Sequence, residues 1–236
     1  MNTQTAPLSA APETGVDAPR FDIYHSIHKA LRLMMCDALS RTGCADPDDE
    51  SQVGATLERI HALLDLCAKH IAHEDEFLHP ALETARLGSS APARGEHRHH
   101  EESIADLRDL AGLVADTRGP ARHVALDRLY QALAVFVGEN FLHMHEEETA
   151  HNAVLWDSYS DAHLHELHDR LVAAIPPQEM MQALVWFLPA LHARERAQML
   201  QGMRAGMPAP AFEAVLGLAR QCLSEQEFAK LQRALG

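Results

Sequence analysis

The sequence predicts an all-α protein, an antiparallel four-helix bundle with a small C-terminal helical extension. Three observations predict it. Aromatic residues make up only 5% of the chain, β-branched residues are sparse and Leu and Ala dominate, a composition that favours helix over strand. Four long stretches repeat apolar residues at helical spacing, with short breaks between them. Beyond residue 156 the helical stretches become short and are punctuated by prolines. A chain of 236 residues suits one large domain, or one domain with an appendage, and can bury a core without disulfides or a metal.

The first helix is expected from Phe21 to about Ser40, where Phe21, Tyr24, His28, Leu31, Met35 and Leu39 share a face. Gly43 to Asp49 reads as a loop whose acids cap the next helix. That second helix is expected from Ser51 to Arg86, on a stripe of Leu63, Leu66, His70, Glu74, Phe77 and Ala81. Pro80 should kink it or end its regular part. Leu87 to Gly95 reads as a loop, Glu96 to Asp116 as the third helix, and Arg118-Gly119-Pro120 as a break. The fourth helix runs from Ala121 to Trp156, with Leu129, Phe136, His143, Glu147 and Val154 on one stripe. Such helices pack as a bundle. The extension comprises Asp161–Ala174, Pro177–Leu188, Ala193–Ala205, Ala209–Cys222 and Glu225–Leu235, with Val185, Trp186, Phe187 and Leu188 as its expected core. The domains expected are a disordered tail over 1–19, the bundle over 20–156 and the extension over 157–236.

Charge and composition narrow the function. The chain carries 34 acidic and 20 basic residues, a net charge of −14. That surface repels phosphate backbones and anionic lipid, so neither a nucleic-acid nor a membrane partner is expected, whereas cations are attracted. No apolar run is long enough to span a bilayer. The N-terminal residues lack the pattern of a signal peptide. The four cysteines show no CxxC spacing, which suits a reduced compartment, and a cytoplasmic location is expected. The outlying number is 17 histidines, several of them clustered.

Two segments carry the same pair of potential metal ligands. His70-Ile-Ala-His73-Glu74 and His143-Met144-His145-Glu146-Glu147 each place a histidine four residues ahead of a glutamate. Four residues is slightly over one helical turn, so His70 and Glu74 share a face, as do His143 and Glu147. Both pairs fall within apolar stripes, where an unpartnered carboxylate is costly and calls for a metal or a protonated base. His145 and Glu146 point elsewhere. On the first helix, His28 is centred on the apolar face and His25 lies at its edge. On the third, periodicity favours His100, with His97 nearer the edge. His163, His165 and His168 read as surface residues, and His61, His79, His123 and His192 as isolated ones. No nucleophile triad or phosphate-binding glycine loop is present.

These residues resemble the hemerythrin family, specifically its bacterial hemerythrin-like (HHE cation-binding) branch, over roughly residues 20–156. The family's order is His, then His-x3-Glu, then His, then His-x3-Glu. Here that order is supplied by His28, by His70 with Glu74 ahead of Phe77-Leu78-His79-Pro80, by His97 behind Glu96, and by His143 with Glu147. Ala153 stands where many relatives have proline. The resemblance puts His97 in the ligand position, against the periodicity, and leaves His100 as a second candidate, with Glu101 as a further alternative. It implies a non-haem di-iron centre that binds O2 or senses O2, NO or iron. A di-iron peroxidase or ferroxidase and a structural or regulatory zinc-binding protein are the alternatives. Tyr24, one turn before His28, is a candidate for redox chemistry near the metals and, otherwise, a core residue. The C-terminal helices are expected to serve a protein partner, a homodimer or the bundle end.

Overall fold

The computed structural model describes residues 20–236; the tail expected over 1–19 lies outside them. Among the described residues every regular element is helical. Helix α1 spans His25–Cys44 and α2 spans Glu50–His73. A π-helical turn, Glu74–Leu78, joins α2 to α3, His79–Ala85. Then come α4, Ala91–Asp116, and α5, Pro120–Glu146. A second π-helical turn, Glu147–His151, joins α5 to α6, Asn152–Ser158. Five shorter helices complete the chain: α7, Asp161–Ala174; α8, Pro177–Ala190; α9, Ala193–Gly206; α10, Ala209–Cys222; and α11, Glu225–Leu235.

Local chemistry sets the ends of these elements. Helix α1 starts four residues later than the apolar spacing suggests. The Asp22 carboxylate accepts from the backbone N–H of Tyr24 and of His25, and so caps the helix at that point. Asp49 does the same for α2 through Ser51 and Gln52. The loop expected over 87–95 is shorter, because α4 begins at Ala91 with Pro92 in its first turn, where proline's missing N–H costs nothing. Glu83 accepts from the N–H groups of Gly88 and Ser90 and fixes that turn. Gly119 has φ 56°, a left-handed conformation that glycine adopts freely, and it carries the chain into Pro120.

The two π-helical turns correct the periodicity. In each, an N–H reaches back five residues: His79 to the Glu74 carbonyl and Asn152 to the Glu147 carbonyl. Such a turn holds one residue more than an α-turn. The stripe expected to continue through Phe77 and Ala81 therefore moves on by one residue, and Leu78 and Leu82 are the buried pair. Pro80 follows the first wide turn, but Ala153 occupies the matching place after the second, so proline is not what makes these turns.

Helices α1, α2, α4 and α5 each pack against two of the others. Leu31, Met35, Ile60, Leu64, Leu107, Leu129 and Leu133 fill the interior between them. Buried Arg122 ties the far end, donating to the carbonyls of Thr117 and Pro47. At the other end α7 contributes Leu164 and Leu167 to a cluster with Ile23, Leu78, Leu82 and Leu155. Helices α8 to α11 close around Leu184, Leu188, Leu200, Phe212 and Leu231. Val185, expected in that core, is 37% exposed, because Leu184 and Leu188 take the inward face at i, i+4 spacing. Helix α8 lies along α1. Glu195 at the start of α9 reaches α1 as well, accepting from Lys29 at 2.6 Å and lying 2.7 Å from His25 Nε2. No single helix among the described residues is long and apolar enough to cross a membrane.

Candidate metal centre

Four elements deliver side chains to one point in the interior. Helix α1 brings His28, α2 brings His70, α4 brings His97 and α5 brings His143. Glu74 and Glu147 enter from the first residues of the two wide turns. The structure thus brings together six of the seven residues singled out in the sequence. His28, Glu74, His97 and Glu147 are each at most 2% exposed, and His143 is 6% exposed.

The donor atoms form two groups that share both carboxylates. One is His28, His70, Glu74 and Glu147; the other is His97, His143, Glu74 and Glu147. Within each group the donor atoms lie within 4.8 Å of one another. His70 Nε2 is 3.2 Å from Glu74 Oε1, and His97 Nε2 is 3.4 Å from Glu74 Oε2, so one carboxylate faces both groups. Glu147 does likewise, with Oε2 3.4 Å from His28 Nε2 and Oε1 3.9 Å from His97 Nε2. His143 Nε2 is 3.5 Å from Glu147 Oε2. Ligands about 2.1 Å from a shared ion sit about 3.0 Å apart on an octahedral edge and about 3.4 Å on a tetrahedral one. Four of these five spacings fall near those edges, and the His97–Glu147 distance of 3.9 Å is longer.

Hydrogen bonding decides what these atoms need. His28 Nδ1 lies 3.0 Å from Glu148 Oε1, His97 Nδ1 lies 2.9 Å from Asp75 Oδ1, and His143 Nδ1 lies 2.7 Å from Glu96 Oε2. A carboxylate accepts, so each Nδ1 donates and each ring turns its Nε2 inward. His97 Nε2 and His143 Nε2 then face each other at 3.1 Å. The Nε2 atoms of His28 and His70 and all four carboxylate oxygens of Glu74 and Glu147 are buried without a hydrogen-bond partner. Buried acceptors left unpaired cost about 1–3 kcal/mol each, more when charged. A cation held by these groups would satisfy them together.

The electrostatics point the same way. Burial opposes the charge on Glu74, but His70, His28 and His97 outweigh it and hold its carboxyl well below the usual range. Burial and the charge of Glu74 push Glu147 well above that range. Two carboxylates sharing a dry site without a cation split in this way, one ionised and one protonated. Burial drops His70 to about 3, so it is a neutral donor at neutral pH. His28 is also opposed by burial, yet Glu148 and Glu74 raise it.

Other residues sort around this point. His100 is buried beside it, its ring 4.9 Å from that of His143 and its Nδ1 unpartnered, but it stands outside both groups. Glu101 is exposed and outside them, because α4 turns it away from the interior. His25 is exposed and paired with Glu195. Tyr24 is buried, 3.3 Å from His151 Nδ1 through its hydroxyl, and burial with the charge of Glu147 raises it well above 10. His79, read as isolated, is in fact buried and stacks on His97 at 4.9 Å, because the wide turn rotates it inward. Sequence reasoning missed the roles of Asp75, Glu96 and Glu148. The one signal for them is that each sits beside a residue of the group: Glu74, His97 and Glu147.

The profile described as hemerythrin HHE cation binding domain matches residues 20–153. The chain belongs to the hemerythrin HHE family. All six converging residues lie inside the match, as do the three outer carboxylates, and helices α7 to α11 lie beyond it. No curated protein and no solved structure matches the chain. The family implies cation binding, and the His and Glu donor groups are candidates to hold the ion.

Proposed function

We propose that α1, α2, α4 and α5 form the antiparallel hemerythrin-like bundle and hold a non-haem di-iron centre that binds O2 or senses O2, NO or iron. The observation that carries this is the sharing of Glu74 and Glu147 between two donor groups, with all four of their oxygens unpartnered. His28 and His70 serve one ion, His97 and His143 the other, and His100 stands ready to add a donor beside His143. Imidazole nitrogen with carboxylate oxygen suits iron, and no cysteine stands in either group, whereas closed structural zinc sites commonly use thiolate. Iron bound there supplies redox-active centres with open positions for a diatomic ligand. Asp75, Glu96 and Glu148 orient the rings of His97, His143 and His28 so that each Nε2 faces the interior. Arg32 holds Glu148 at 2.5 Å and so fixes the acid that fixes His28.

The test is metal analysis of full-length protein purified without affinity metals and loaded anaerobically with ferrous iron. Two irons per chain are expected, with a ferric absorption band that appears when air is then admitted as the oxidant and changes when azide is added. Fewer than one iron per chain, or zinc retained in preference to iron, overturns the reading.

A further inference from the structure

Most of the converging cluster is sealed, but one side is not. His70 is its most exposed member, with 11% of its side chain accessible, and it lines a cavity of about 370 Å³. Glu74 lines the same cavity. The walls come from both parts of the chain. Ile27 of α1 and Leu66 of α2 form one side, and Leu171 and Val172 of α7 with Ala183 and Trp186 of α8 form the other. The extension therefore turns a face of the bundle into a closed-in apolar chamber whose floor is His70 with Glu74.

Size and charge identify what fits. The volume is more than ten times a water's share of about 30 Å³ and lies in the range of about 300–1,000 Å³ typical of organic-ligand pockets. It is far larger than a diatomic requires. The charged lining groups outside the metal cluster are already paired: Lys69 with Glu179 at 3.1 Å, and Asp65 with Arg108 at 2.7 Å. The lysine and the carboxylates along these walls therefore offer a charged ligand no free counter-charge, and His73 and His168 are the remaining titratable lining groups. At the inner end, His70 Nε2 and both Glu74 oxygens are buried and unpartnered. His70 also differs from His28, His97 and His143, whose Nδ1 atoms each meet a carboxylate.

We propose that this chamber is a binding site for a neutral, mainly apolar organic molecule, seated between the extension and the bundle with its inner end against His70. Binding rests on the cavity alone; only the seat beside a metal rests on the di-iron reading. The walls supply hydrophobic burial.

Two probes test the site on the full-length, iron-loaded protein. N-phenyl-1-naphthylamine, a neutral apolar fluorophore, is expected to bind saturably at one per chain. Ala183→Trp fills the chamber from α8 and Val172→Trp fills it from α7. Each is expected to weaken binding at least tenfold, while Val185→Trp, placed on the exposed side of α8, leaves it unchanged. Far-ultraviolet circular dichroism checks that the variants fold. Bromocyclohexane provides a measurement free of filling substitutions. In Trp156→Phe protein the one remaining tryptophan is Trp186, and contact with the bromine should quench it saturably. Absence of saturable binding of both probes, or undiminished binding in the folded filling variants, overturns the chamber site. Probe binding should survive chelation of the iron, and bound probe should slow azide binding to the loaded protein. Probe binding with unslowed azide overturns the seat against His70. Absence of any azide response overturns the di-iron reading and leaves the chamber standing.

Discussion

Glu147 behaves differently with and without a cation, and a single substitution separates the two states. Burial and Glu74 already favour its neutral form, which Gln imitates. Glu147→Gln is therefore expected to raise the melting temperature of metal-free protein by a few degrees and to reduce the bound metal to one ion per chain or fewer. Scanning calorimetry and metal analysis read the two effects. The outer acids should act more gently. Asp75→Asn, Glu96→Gln and Glu148→Gln each free a ring that the acid had oriented, and a loss of about 10–100-fold in metal affinity is expected with helicity unchanged. Acid pH should destabilise the metal-free protein. His70 and His100 sit at about 3 and His79 at about 4, so below about 6.5 the unfolded chain takes up protons that the native chain refuses. His28 and His97 are raised, so their contribution is fully present below 6.5 and fades only as pH rises through their folded values. Glu147, raised as well, opposes with one proton the depressed histidines, to which His143, His151 and His168 also belong. Stability to urea should then fall steadily from pH 6.5 to 4. At this scale His70, Glu74, His143 and Glu147 are legible in sequence because they repeat at i, i+4 on apolar stripes, and His28 because it is centred on one; His97 is legible only through the family resemblance, since periodicity favours His100. The outer acids are not, because Asp75, Glu96 and Glu148 reach across to rings on other helices.

The wide turns show how far periodicity carries at the level of an element. A constant step of about 100° per residue describes α2 well as far as Glu74 and fails beyond it, because one residue is added there. Length, composition and apolar spacing locate the long helices, but they cannot see a turn whose cause is not a residue type. Glu76 tests the point. It is exposed, so Glu76→Ala should change stability by no more than about 0.5 kcal/mol. Deleting Glu76 should convert the wide turn to an α-turn and leave Leu78 and Leu82 in their cluster with Leu164 and Leu167, because the deletion removes the one added residue. Each buried leucine contributes about 1.5–3 kcal/mol, so the deletion should cost less than the loss of about 3 kcal/mol or more that turning both outward would cause in equilibrium unfolding. A loss of about 3 kcal/mol or more in the deletion variant would contradict the register shift.

Across the whole molecule, metal and fold are linked through mass action. A cation held only by the folded chain stabilises it by about 2.7 kcal/mol at a hundred times its dissociation constant. Chelation should lower the melting temperature, and restoring iron should return it; equal values before and after would show that the site holds nothing. The all-helical class is legible from composition at this scale. The chamber is not, because its two walls are far apart in the chain and only the packing of α8 on α1 brings them together. Because a wide turn resets the phase of the helix, the residues before it and after it answer to different neighbours. The family match ends at residue 153, directly after the second reset at Glu147–His151. Whatever is attached beyond that point can be exchanged over generations without re-phasing the helices that carry the cluster, which makes the joint a natural place for one metal-binding core to acquire different attachments.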